Sequence, residues 1–298
     1  MKTSKGREYK GRVYVNVKLY TTDTGGYDMR YSFENNVSDR QFDSIHELMH
    51  FIETTPLNDA FRWRPLCSSE TGSGPTKWTG TQTFEEAMEL LKNGWDDMAK
   101  KLEGKLRLAT KSEVTKTSPR PQYAMAGYQA CVPRYLQGVP ESMIYSKRVP
   151  VKQKVITINK QVNYLADVSA NQIIEESVKA LTIIAKLEAQ GYRVNLNAVT
   201  CSDSSYGGFT EITRTCIKKA GERLSVAKMA FPLVNPSMLR RIIFRYRETN
   251  PESSKLYPTY GRTLYDASKY FEDKPNAEYY IPPIIGDVDK FIAKMELK

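Results

Sequence analysis

Residues 155–201 read VITINKQVNYL (155–165), ADVSA (166–170), NQIIEESVKALTIIAKLEAQ (171–190), G (191) and YRVNLNAVTC (192–201). The first and last of these runs are short, rich in β-branched residues and bounded by turn-forming residues, which is the pattern of buried strands. Between them, Ile173, Ile174, Val178, Leu181, Ile184 and Leu187 recur at helical spacing on one wide face, and Gly191 supplies a C-terminal stop. A strand, a crossover helix and a second strand make a β-α-β unit, so the chain is predicted to be an α/β protein with a mainly parallel sheet flanked by helices.

Outward from this unit, Glu211 to Lys218 reads as a further strand and Asn235-Pro236 as the start of a helix over Met238 to Arg247. Tyr280 to Ile285 reads as a strand and Asp287 to Leu297 as a closing helix. Toward the N-terminus, Val13, Val15, Val17 and Leu19 alternate with polar residues as a half-buried strand, Thr24-Gly25-Gly26 makes a turn, and Met29 to Phe33 returns. Ser44 to Glu53 follows as a helix, and Thr83-Phe84-Glu85-Glu86 opens another through a capping box that ends near Gly94. Leu106 to Gln122 is basic, lacks apolar periodicity and ends in Pro119-Arg120-Pro121, the composition of a linker. The expected organisation is an α+β region over 1–105, a basic linker or loop over 106–122, and an α/β domain over 123–298.

The chain has 298 residues and a net charge of +10. No apolar run approaches the roughly 20 residues of a membrane span, and the first residues carry no signal core, so a cytoplasmic protein without a membrane partner is expected. Cys67, Cys131, Cys201 and Cys216 form no C-x-x-C pair; a disulfide framework is not suggested, and reduced core thiols are expected. The charge is concentrated mid-chain, where Lys100 to Lys154 holds twelve basic residues against three acidic ones, a net of +9.

Three constellations bear on chemistry. Asp167-Val168-Ser169-Ala170-Asn171, at the junction of strand and helix, resembles the D-x-S-x-S metal site of von Willebrand factor A domains, with asparagine in place of the last serine. The resemblance implies an A-domain-like fold for the C-terminal half and Mg²⁺ held by Asp167, Ser169 and Asn171, because hard cations prefer oxygen donors. The alternative is that Ser169 or Asn171 caps the helix. His46-Glu47-Leu48-Met49-His50 matches H-E-x-x-H, in which His46 and His50 bind zinc and Glu47 activates the metal-bound water of a metallopeptidase; two solvated histidines are the alternative. Lys100, Lys101, Lys105, Arg107 and Lys111, with Arg240, Arg241 and Arg245, form the expected basic surface for phosphate backbone or another partner. No phosphate-binding loop, dinucleotide fingerprint or nucleophile elbow occurs, and both histidines lie in one short segment, so the common nucleotide hydrolases and triad hydrolases are disfavoured.

Trp78-Thr79-Gly80-Thr81, Phe84-Glu85-Glu86-Ala87, Gly94-Trp95, Gly138 to Met143, Leu187 to Val194 and Phe231 to Arg241 together resemble an uncharacterised family of phage and prophage proteins. That resemblance implies a mobile-element origin and carries no catalytic residue across. The resulting expectation is a non-enzymatic binding or assembly protein that engages a phage protein, a host protein or nucleic acid. A zinc peptidase and a virion component are the alternatives.

Overall fold

In a computed structural model the described residues are 8–9, 12–13, 30–34, 36–61, 66, 68, 79–110, 122–145, 154–165, 167–204, 208–256, 262–264, 266–271 and 278–295. The strands are β1 (Glu8–Tyr9), β2 (Arg12–Val13), β3 (Arg30–Glu34), β4 (Val37–Phe42), β5 (Gln122–Ala124), β6 (Gln129–Ala130), β7 (Met143–Tyr145), β8 (Val155–Gln161), β9 (Arg193–Asp203), β10 (Thr210–Lys218) and β11 (Glu278–Ile281). The helices are α1 (Ile45–Thr54), α2 (Phe84–Asn93), α3 (Asp96–Thr110), α4 (Val132–Leu136), α5 (Ala170–Ala189), α6 (Val226–Val234), α7 (Phe244–Thr249) and α8 (Val288–Lys294). A π-helical turn over Met238–Ile243 runs directly into α7.

The protein is α/β. Six strands form one mixed sheet in the order β11-β8-β9-β10-β4-β3. β11, β8 and β9 are mutually parallel, β10 runs antiparallel to β9, β4 is parallel to β10, and β3 returns antiparallel on the edge. The β8-α5-β9 crossover is therefore present as the sequence predicts, while the following strand turns back.

Strand β4 lies at the end of an unexpected hairpin. Met29 to Phe33 was expected to pair with Gly11 to Tyr20, most of which lies outside the described residues. The described partner of β3 is instead β4, across a tight turn in which Asn36 takes φ +61°, a conformation asparagine tolerates. β4 then inserts beside β10, and so a strand from the first 42 residues completes the sheet of the C-terminal half.

Register assigns the faces. Ile156 and Ile158 of β8, Val194, Leu196 and Ala198 of β9, Phe42 of β4 and Ile281 of β11 point to one side and join a single core with α1, α2, α3, α5, α6, α7 and α8. Both sides of the expected boundary at 106–122 thus share one core, and α3 extends as a helix to Thr110. Phe42, Phe51 and Tyr246 pack ring to ring at 5.6 to 5.8 Å, with the Arg40 guanidinium 5.4 Å from two of them, tying α1 and β4 to α7. The opposite face, which a doubly wound sheet would cover with helices, carries instead a smaller cluster of Val199, Cys201, Ile212, Ala267 and Phe271. Of the four cysteines, only Cys201 is fully buried among those described; Cys131 and Cys216 are half-buried free thiols.

Residues 122–145 stand apart from these cores. Here β5, β7 and β6 form a three-stranded antiparallel sheet in that order, with α4 in the connection. No residue of this segment belongs to any of the hydrophobic clusters. No described helix is long and apolar enough to cross a membrane.

Candidate functional site

The 167–171 turn sits past the carboxyl end of β8. Asp167, Ser169 and Asn171 are exposed, and the Ser169 hydroxyl accepts the Gln172 amide at 3.3 Å, the arrangement of a helix N-cap. A cation would sit against the partial positive charge at the amino end of the 20-residue α5, which disfavours it. No group of three or more His, Cys, Asp or Glu side chains gathers among the described residues. Three exposed donors, one of them engaged as the helix cap, do not fit Mg²⁺.

The H-E-x-x-H segment forms the first turns of α1. Ser44 caps the helix by accepting the Glu47 amide at 3.1 Å, and the Glu47 carboxylate accepts the Asp43 amide at 2.5 Å. This is a capping box shifted outward by one residue. Glu47 is buried by it, whereas His46 is exposed and His50 half-buried. The carboxylate that a metallopeptidase would aim at metal-bound water is turned to the helix's own amino end.

The arginines of 240–247 divide by burial. Arg241 is internal: its guanidinium donates to the carbonyls of Ser68 at 3.0 Å, Thr81 at 3.2 Å and Gln82 at 2.7 Å, so it does not belong to the expected basic surface. Five donors in a rigid fork suit this task, for they satisfy several loop carbonyls at once. Arg247 is equally buried and donates to Glu211 at 2.9 Å, while Ser253 donates to the other oxygen of the same carboxylate. Arg240 and Arg245 are half-buried; desolvation pushes Arg240 down to about 10, and Arg245 lies 5.5 Å from the ring of Phe84.

A second polar network crosses the face opposite the main core. The Arg214 guanidinium bridges Asp39 and Glu278, stacks over Phe271 at 4.9 Å, and is linked through Glu278 to Asn159 and then to Asn197. At the far side of the sheet, buried Lys160 donates to the carbonyls of Pro282 and Pro283 at 2.6 and 2.8 Å, and desolvation pushes its amine down to about 7. Glu176 and Lys179 hold the same loop through the amide and carbonyl of Ile285. These groups fasten loops to the sheet by filling one another's hydrogen-bonding capacity.

What remains open to a partner lies in the basic middle. On α3, Met98, Ala99 and Leu102 are buried, which turns Lys100, Lys101, Lys105 and Arg107 outward. Lys100 is matched only by an exposed Asp97 at 3.8 Å, a pair worth little in water. Lys111 lies outside the described residues. Immediately beyond comes a feature that pattern reading missed. Seven of the ten large apolar side chains exposed among the described residues fall between 122 and 145: Tyr123, Met125, Tyr128, Val132, Tyr135, Leu136 and Tyr145. They are spread over the strands, turns and short helix of this segment, which leaves them facing solvent rather than packed into any of the cores. The clue in the sequence was that these apolar residues obey neither the helical nor the alternating period.

No curated protein and no solved structure matches the chain. One family model, described as a domain of unknown function and designated DUF7192, matches residues 14–295 and so runs through the core, the basic middle and the tyrosine-bearing sheet alike. The chain belongs to the DUF7192 family.

Proposed function

We propose that this chain is a non-enzymatic, phage- or prophage-encoded protein that binds nucleic acid through its basic middle. The observation that carries the reading is the outward display of Lys100, Lys101, Lys105 and Arg107 along α3, at the start of a 55-residue stretch where basic residues outnumber acidic ones twelve to three. Lysines and arginines that face water and lack buried partners are free to displace counterions from a phosphate backbone, and this release drives binding. The buried arginines and the capped Glu47 support the non-enzymatic side of the reading, because they serve the fold. The mobile-element origin rests on the resemblance of the segments between Trp78 and Arg241 to phage and prophage proteins. Parallel β8 and β9 with Asp167 past the end of β8 support an A-domain-like ancestry for that unit alone.

The test is fluorescence anisotropy of the full chain with labelled oligonucleotides at low and moderate salt. Wild type is compared with Lys101→Glu/Lys105→Glu/Arg107→Glu. Reversing three exposed charges is expected to weaken binding at least tenfold without lowering thermal stability by more than about 1 kcal/mol, as for surface substitutions. Undetectable binding by wild type at low salt, or equal binding by the variant, would overturn the proposal.

A further inference from the structure

We propose that Gly104 is the point at which the sugar-phosphate backbone of a bound nucleic acid comes closest to α3, in a gap bordered by Lys100, Lys101, Lys105 and Arg107. This inference rests on the reading of the basic middle as a nucleic-acid grip and names the part of the nucleic acid that the grip holds.

Gly104 is the only glycine inside any of the described helices, and it lies in the interior of the 15-residue α3. Apart from proline, glycine is the least favourable residue for a helix interior, so its presence there calls for a compensating role. The fold supplies none. Other glycines answer to positive φ, as at Gly94 and Gly191, or to crowding, as at Gly127, where a Cβ would come 2.1 Å from the Ile144 carbonyl oxygen. Gly104 has no positive φ, and nothing lies within 4 Å of a Cβ built on it. The residue is exposed, so the room it leaves opens to solvent and not to the core. A missing side chain is what lets another molecule approach a helix closely.

The border of this gap is positive. At about 100° per residue, Gly104 projects between Lys100 and Lys101 of the preceding turn, with Arg107 one turn beyond and Lys105 alongside. Helical side chains lean toward the amino end, which carries Arg107 back over residue 104. All four cations are exposed, and from Lys100 to Arg107 they face a single acid, Glu103, also exposed, for a net of +3. That stretch covers about 10 Å of helix axis. A strand crossing α3 at the gap lies within reach of cations on both of its sides, and such a contact holds backbone and reads no bases.

Gly104→Ala and Gly104→Gln fill the gap without altering the charge. Each puts a better helix former on an exposed site, so Tm should rise by about 1–2 °C. Binding of labelled single-stranded oligonucleotides to the full chain, followed by anisotropy across a salt series, should move the other way. The Gln variant lifts the strand away from one cation. Its affinity should fall about fivefold near 0.1 M salt and its plot of log K against log salt should flatten by roughly 0.7, the share of one phosphate contact. The Ala variant should lie between Gln and wild type, and the loss should be equal for two oligonucleotides of unrelated sequence. Unchanged affinity and slope in both variants, with wild type binding, would overturn the close approach while leaving the basic grip standing. A fall in Tm would show that the fold itself needs glycine there, and a loss confined to one base sequence would place bases at the gap; either result refutes the inference. Absence of wild-type binding at low salt would overturn the grip and the inference together.

Discussion

Replacing Arg247 by methionine is expected to destabilise the protein by about 3–5 kcal/mol, because it strands the Glu211 charge in the interior. Glu211 and Arg247 are both fully buried, on β10 and α7 respectively, with an Nε to Oε1 distance of 2.9 Å. The second carboxylate oxygen is already engaged by Ser253, so water is not at hand to replace the guanidinium. Unfolding entropy near 2.1 cal/mol/K per residue gives a 298-residue chain a total of about 0.6 kcal/mol/K, which converts the loss into a fall of about 5–8 °C in Tm. Glu211→Gln is expected to cost a similar amount for the converse reason, while keeping an acceptor for Ser253. The double variant removes both charges and should recover about 2 kcal/mol relative to the sum of the single changes. Urea unfolding of the four proteins supplies the cycle. If the two losses add to within about 0.5 kcal/mol, the pair is not coupled and the account of how α7 is fastened to the sheet is wrong.

Lys160 gives a pH dependence of definite sign. Burial holds its amine at about 7 in the folded state against 10.5 in the open chain, so the unfolded state binds the additional proton between those values and stability from this group rises with pH from about 7 toward 10. Lys160→Met should flatten that rise in a series of unfolding curves; an unchanged slope would show that another group is responsible. Ser44→Ala removes the cap of α1 and is expected to cost about 1 kcal/mol in chemical denaturation; no loss would show the cap to be dispensable. Gly80→Ala should be far more damaging than Gly138→Ala although both glycines have positive φ. A Cβ on Gly80 would come 2.2 Å from Asn235 Oδ1, whereas nothing lies within 4 Å of one on Gly138. The latter should cost only about 1 kcal/mol of backbone strain, and comparable thermal shifts for the two would contradict the packing described between Gly80 and Asn235.

The β-α-β unit was legible because its strands are buried and its helix covers them, conditions that leave strong apolar patterns in residues 155–201. The rest of the sheet was harder to see for particular reasons. β4 reads VSDRQF, yet Asp39 is answered by Arg214 from a strand more than 170 residues away, and Arg40 turns inward onto Phe51 and Tyr246. Such a strand carries polar residues where a local pattern demands apolar ones. α3 was missed because four exposed basic residues and Gly104 obscure the stripe of Met98, Ala99, Leu102 and Leu106. Burial of Arg241 could not be read at all, since a guanidinium bound to three carbonyls and one bathed in water have the same sequence signature. The exposed tyrosines posed the opposite difficulty: aromatic residues suggest a core, yet no residue of 122–145 belongs to one.

The salt dependence of nucleic-acid binding is the decisive measurement for the basic middle. With Lys100, Lys101, Lys105 and Arg107 each meeting a phosphate, a plot of log K against log salt for a single-stranded oligonucleotide should fall with a slope of about −3, at roughly −0.7 for each contact. A slope near zero, or no measurable association in dilute buffer, would contradict the assignment of the basic middle to a phosphate backbone.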